Sequence, residues 1–136
     1  MDALRWIFGL PLAIIFTLLF HSIWHSLLGG ALYNYTTQHP HVSHIIKVTQ
    51  LASTNGLLVF LSCWFIPSSK KYFGLGWILL FFGYGLFLHF NNQVIQGYSL
   101  ADFLDNFFAA LGIFTGFYIS YLLFKDTGWV SSMQPN

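Results

Sequence analysis

Two histidines, His21 and His25, stand four residues apart in the segment FHSIWHSL. On a helix that spacing puts both imidazoles on one face, an arrangement that can serve a metal ion. A third ligand could come from His89, Asp102 or Asp105. A haem needs axial ligands from facing helices, so the pair for haem would be His21 or His25 with His89. The segment lacks the glutamate that makes His-Glu-x-x-His a hydrolase motif, and no paired Glu-x-x-His elements exist for a di-iron site. His39, His41 and His44, in QHPHVSH, form a short His-rich tract that reads either as a weak metal site or as solvated loop surface.

The densest polar stretch runs from His89 to Gly116, HFNNQVIQGYSLADFLDNFFAALGIFTG. It sets His89, Asn91, Asn92, Ser99, Asp102, Asp105 and Asn106 beside long apolar sequence, where an unpaired polar group costs several kcal/mol. Ser99 and Asp102 match a Ser-x-x-Asp capping box, so Asp102 can be explained either as a helix cap or as a functional carboxylate. Asn106, one turn further in, is harder to explain as capping and is the stronger candidate for binding.

The elements that must carry these residues follow from composition. The 136-residue chain is 56% hydrophobic, 21% aromatic and only 7% charged, far from the roughly 25% charged residues of soluble domains. Apolar runs near 6–28, 48–66, 72–90 and 105–124 are each close to the roughly 20 residues that cross a bilayer as a helix. Backbone groups in lipid must be satisfied within a segment or a closed barrel, and so few spans cannot close a barrel. The expected fold is therefore all-α: a polytopic membrane protein with four transmembrane helices in an antiparallel bundle over residues 1–125, followed by a short polar, poorly ordered tail at 126–136. The first run is longer than the about 7–15 residues of a signal-peptide core and is read as a retained helix. Arg5, Lys70, Lys71 and Lys125 on one side, against Lys47 on the other, predict cytoplasmic N- and C-termini and outward connections at 29–47 and 91–104. Pro67-Ser68-Ser69-Lys70-Lys71 forms an inward turn, and Trp6, Trp64, Tyr72, Trp77 and Trp129 fall near the interfaces as anchors.

This register carries the polar residues of all four helices to one outer layer. His21 and His25 come from the first helix, Gln50 and Thr54 from the second, His89 and Asn92 from the third, Asp102 and Asn106 from the fourth. The inner halves are nearly pure Leu, Ile, Phe and Gly. The layer reads as an outward-facing polar pocket above an apolar plug, with glue between helices as the plainer alternative. Gly112 and Gly116, with Ala109, make a small-residue face for packing on the third helix, or for a homodimer or partner helix.

A net charge of +1 without a basic stripe excludes nucleic acid as a partner, and the single cysteine, Cys63, excludes a disulfide framework. No nucleophile elbow, P-loop or dinucleotide fingerprint is present, no catalytic constellation is assembled, and no cofactor is implied.

The C-terminal half resembles the VanZ-like family of small bacterial membrane proteins. That family's third helix ends in Glu-x-x-Gln, its loop carries Gly-Arg-Ser, and its fourth helix opens with Asp-x-x-x-Asn before a glycine-rich run. This chain has His89 to Asn92, then Gly97-Tyr98-Ser99, then Asp102 to Asn106 followed by Ala109, Gly112 and Gly116. His89, Asn92 and Tyr98 depart from the family's glutamate, glutamine and arginine. The resemblance implies a bacterial plasma-membrane protein with an envelope-related or antibiotic-tolerance role. It points to Asp102 and Asn106 orienting the polar head of a membrane lipid or lipid-linked envelope precursor, with His89, Asn92, Gln50, Thr54 and Ser99 around them. The alternatives are a metal- or haem-binding subunit built on His21, His25 and His89, or a small structural subunit of a larger complex.

Overall fold

The computed structural model describes residues 2–30, 38–95, 99–127 and 129, with the side chains of 2, 3, 6, 29, 30, 88–90 and 92–95 outside the description. The described residues are all helical in their regular structure: α1 (Asp2–Trp24), a π-helical turn (His25–Gly30), α2 (Pro40–Phe65), α3 (Lys70–Ile95) and α4 (Leu100–Phe124). Three stretches, Ile7–Leu28, Pro40–Phe65 and Leu100–Phe124, are long and apolar enough to cross a membrane. The outward faces of these helices and of α3 carry large bare side chains such as Leu18, Leu79, Leu80, Phe87 and Leu123. Water would oppose so wide an apolar surface and lipid would not, so the chain is built as a membrane protein.

The helices are longer than the apolar runs that announce them. Pro40 starts α2 because its fixed φ and missing N–H suit the first helical turn, and His41 and His44 therefore lie on the helix instead of in a loop. α3 continues through Asn91 to Ile95, and α4 starts at Leu100, so the expected connection over 91–104 shrinks to the few residues between them. Polar side chains do not break a helix; they only mark where it leaves an apolar environment.

α2 and α4 make the closest pair, and their contacts advance together along both chains. Ala52 faces Gly112, and Gly56 faces both Gly112 and Gly116, so the two helices run in the same direction. A Cβ built on Gly56 would lie 2.7 Å from the Gly112 carbonyl oxygen, and one on Gly112 or Gly116 would overlap the backbone of Ala52 or Gly56. The expectation that these glycines pack on the third helix is thus corrected: their face is filled by α2. The reason is that α2 offers its own small residues at the matching spacing of four, whereas Gly83 and Gly85 of α3 face open space.

α1 runs against α2 in the opposite sense, with Gly9 beside Phe65 at one end and His21 beside Gln50 at the other. Its buried face is the small-residue series Gly9, Ala13 and Thr17, again spaced by four. α3 lies across α2 and α4 through Trp77 on Ser62 and Phe82 on Phe114. The molecule has a turn end, holding Arg5, Ile66 to Lys70 and Lys125, and a loop end, holding His25, Pro40, Ile95 and Leu100.

Candidate functional site

At the loop end, the start of α4 is capped within the chain. The Ser99 hydroxyl donates to Asp102 Oδ2 at 2.6 Å, and the Ser99 backbone N–H donates to the same oxygen at 3.1 Å. In return the Asp102 N–H donates to Ser99 Oγ at 3.2 Å, completing the reciprocal capping box. The carboxylate is exposed at the positive end of the helix. One turn deeper, the Asn106 side-chain amide donates to the Asp102 carbonyl at 2.9 Å. Asn106 also lines an otherwise apolar groove of about 510 Å³ between α3 and α4, with Phe82, Gly85, Phe103, Phe107 and Phe114 among its walls.

Asp105 faces a different neighbour. Its Oδ2 pairs with the Lys47 ammonium, which ties α4 to α2, while its Oδ1 is buried without a hydrogen-bond partner among the described residues. Across α2, the Gln50 amide lies 3.2 Å from His21 Nδ1 and joins α2 to α1. Gln50 and His25 together line a smaller cleft of about 250 Å³ between α1 and α2. The Thr54 hydroxyl is buried and has no hydrogen-bond partner among the described residues.

The polar residues of the loop end therefore do not meet in a single pocket. Asn106 belongs to the α3–α4 side, His21, His25 and Gln50 to the α1–α2 side, and Ser99 and Asp102 cap the start of α4, with the Lys47–Asp105 ion pair joining the central helices. A helix buries only one stripe of its surface, and a bundle distributes those stripes around its axis. Equal depth in the sequence register thus does not bring side chains into contact. The side chains of His89 and Asn92 lie outside the described residues. Among the described residues no three His, Cys, Asp or Glu side chains gather where they could hold a metal. His21 uses its ring to meet Gln50.

The reading of the inner halves as a nearly pure apolar plug is corrected at the turn end. Thr17, Ser62, Lys70 and Ser120 are the buried polar side chains among the described residues, and Ser62, Lys70 and Ser120 lie toward that end. Ser62 Oγ donates to the Leu58 carbonyl at 2.7 Å and accepts the Trp77 indole N–H at 3.0 Å. Trp77 is thereby a link between α2 and α3, not only an interfacial anchor. Lys70, expected in a solvated turn, is 4% exposed. Its ammonium donates to the Cys63 carbonyl at 2.6 Å and to the Ile66 carbonyl, and stands 4.5 Å from the centre of the Phe124 ring. Trp129, expected in a loose tail, is buried against Phe117 and Tyr121, and its carbonyl accepts the Lys71 N–H at 3.0 Å. Small residues at spacings of four, Gly9-Ala13-Thr17 on α1 and Gly112-Gly116-Ser120 on α4, were the available signal for the buried hydroxyls of Thr17 and Ser120.

No family model, no curated protein and no solved structure matches this chain.

Proposed function

We propose that the chain is a VanZ-like protein of the bacterial plasma membrane, with α3 as a fourth span, an antiparallel bundle and both termini in the cytoplasm. It binds an amphiphilic component of the cell envelope in the α3–α4 groove. The observation that carries this reading is Asn106: a side-chain amide at the rim of a Phe-lined groove, one turn below the Asp102 carboxylate. An acyl or prenyl chain lying along Phe82, Phe107 and Phe114 would gain about 25 cal/mol for each Å² of apolar surface removed from water. Against lipid that gain nearly vanishes, so selection would fall to the polar head, where Asn106 and Asp102 supply a donor and an acceptor. The groove's volume is within the range of ligand pockets, and its opening toward the lipid permits lateral entry.

Two substitutions separate the two halves of this claim. Asn106→Leu removes the polar rim while keeping bulk, and Ala110→Trp fills the groove without touching the cap. Each variant is purified in mild detergent and its co-purifying envelope lipids are quantified by mass spectrometry. Both are expected to lose a specific amphiphile several-fold relative to bulk phospholipid. The same lipid profile in wild type and both variants would sink the reading.

A further inference from the structure

The cleft between α1 and α2 is distinct from the groove just proposed and has a different chemistry. Its lining consists of Trp24, His25 and Leu28 from the first helix and its π-helical turn, with Ser43, Ile46, Lys47 and Gln50 from α2. Nearly every polar group there can donate a hydrogen bond: an indole N–H, an imidazole, a hydroxyl, an ammonium and a carboxamide. Among the described residues no carboxylate lines the cleft; Asp105, which pairs with Lys47, comes from α4. One donor is conspicuous. Trp24 Nε1 is buried and has no hydrogen-bond partner among the described residues, although an indole N–H withdrawn from water ordinarily finds one.

We infer that this cleft is a phosphate-binding site, taking the phosphate group of a membrane lipid headgroup or of a free phosphate ion at the membrane surface. Trp24 Nε1 and the Ser43 hydroxyl donate to the phosphate oxygens, and the Lys47 ammonium, 60% exposed at its side chain, supplies the positive charge. Lys47 has three N–H donors and spends one on Asp105, which leaves capacity for a second acceptor. The Asp105 charge offsets part of the attraction, so hydrogen bonding from neutral donors must carry much of the selectivity. Leu28 and Ile46 give the cleft an apolar side that suits the glycerol and first methylenes of a lipid. The π-helical turn begins at His25, which lines the cleft opposite Ser43 and Lys47.

The test uses the full chain in detergent and the variants Trp24→Phe, Ser43→Ala and their combination, which delete donors and keep the packing volume. Phosphatidylglycerol is titrated in one arm and inorganic phosphate in the other, with bound molecules counted by native mass spectrometry. Wild type is expected to retain one of the two probes, and the double variant to bind that probe about tenfold more weakly, since hydrogen bonds to a charged acceptor are among the stronger kind. Retention of phosphatidylglycerol alone assigns the site to a lipid headgroup, and retention of phosphate in its own arm assigns it to the free ion. Equal binding by wild type and double variant, or no retention of either probe, would overturn the inference. Lys71→Met, exposed at the turn end and part of neither site, is expected to bind like wild type in both arms, and because Asn106 is intact in every variant of this series the result stays separable from the fate of the α3–α4 groove.

Discussion

Lys70 begins a helix, where its charge meets the unfavourable positive end of the α3 dipole, yet its side chain folds back onto the last carbonyls of α2. Those carbonyls, from Cys63 and Ile66, are at or next to the helix end that lacks intrahelical partners, and an ammonium there answers both the missing donors and the negative end of the α2 dipole. The Phe124 ring face adds a third favourable neighbour. Lys70→Met keeps the chain length but removes the donors, so it is expected to destabilise by about 1–3 kcal/mol, whereas Lys71→Met at an exposed position should stay within about 0.5 kcal/mol. Equilibrium unfolding in mixed micelles measures both, and equal values for the two variants would refute the capping role. Little of this was legible in the sequence, because it depends on Phe124 arriving from the far end of the chain. The Ser99–Asp102 cap is the opposite case: both partners lie within one turn, and the Ser-x-x-Asp pattern announces the geometry on its own.

At the scale of elements, the apolar runs announce the helices, and their lengths place the ends within a few residues at Phe65 and Phe124. Helix pairing was less accessible. A Gly-x-x-x-Gly face states that some backbone will approach closely but not whose, and the partner is decided by where a complementary small face exists. Ala52 and Gly56 provide it on α2. The same limit explains why residues at one depth, such as Gln50 and Asn106, lie on different sides of the bundle: depth follows from counting residues, but azimuth requires knowing the neighbours. A sharp contrast tests the pairing. Gly112→Ala or Gly116→Ala forces a methyl into the α2 backbone and should cost about 1–3 kcal/mol through overpacking. Gly83→Ala adds the same methyl into open space and should be neutral or stabilising by up to about 1 kcal/mol through helix propensity. Thermal denaturation in detergent should rank Gly83→Ala at or above wild type and both α4 variants clearly below it; equal losses at all three sites would show that the α2–α4 seam is not the tight one.

For the whole molecule, the decisive quantity is the number of crossings, because it fixes which side the two candidate sites face. Arg5, Lys70, Lys71 and Lys125 lie at the turn end and Lys47 at the loop end, a bias that favours a cytoplasmic turn end. α3 spans 26 residues, which at about 1.5 Å per residue exceeds the roughly 30 Å of a bilayer core. If all four helices cross, both termini share the cytoplasm and the α1–α2 cleft and the rim of the α3–α4 groove open on the outside. If α3 instead lay along the surface, the start of α4 would move to the cytoplasmic side and its end outward, which would also break the same-direction pairing of α2 with α4. Single cysteines distinguish these cases, since the native Cys63 is buried and shielded from a polar reagent. Gln38→Cys, Lys71→Cys, Leu100→Cys and Asp126→Cys all place the thiol at exposed positions outside the helix interiors. In intact cells, a membrane-impermeant maleimide is expected to label positions 38 and 100 and to spare 71 and 126 until the membrane is opened. Labelling at 38 and 126 with protection at 100 would leave three crossings, and would carry Asn106 to the opposite face from the envelope amphiphile it is proposed to bind.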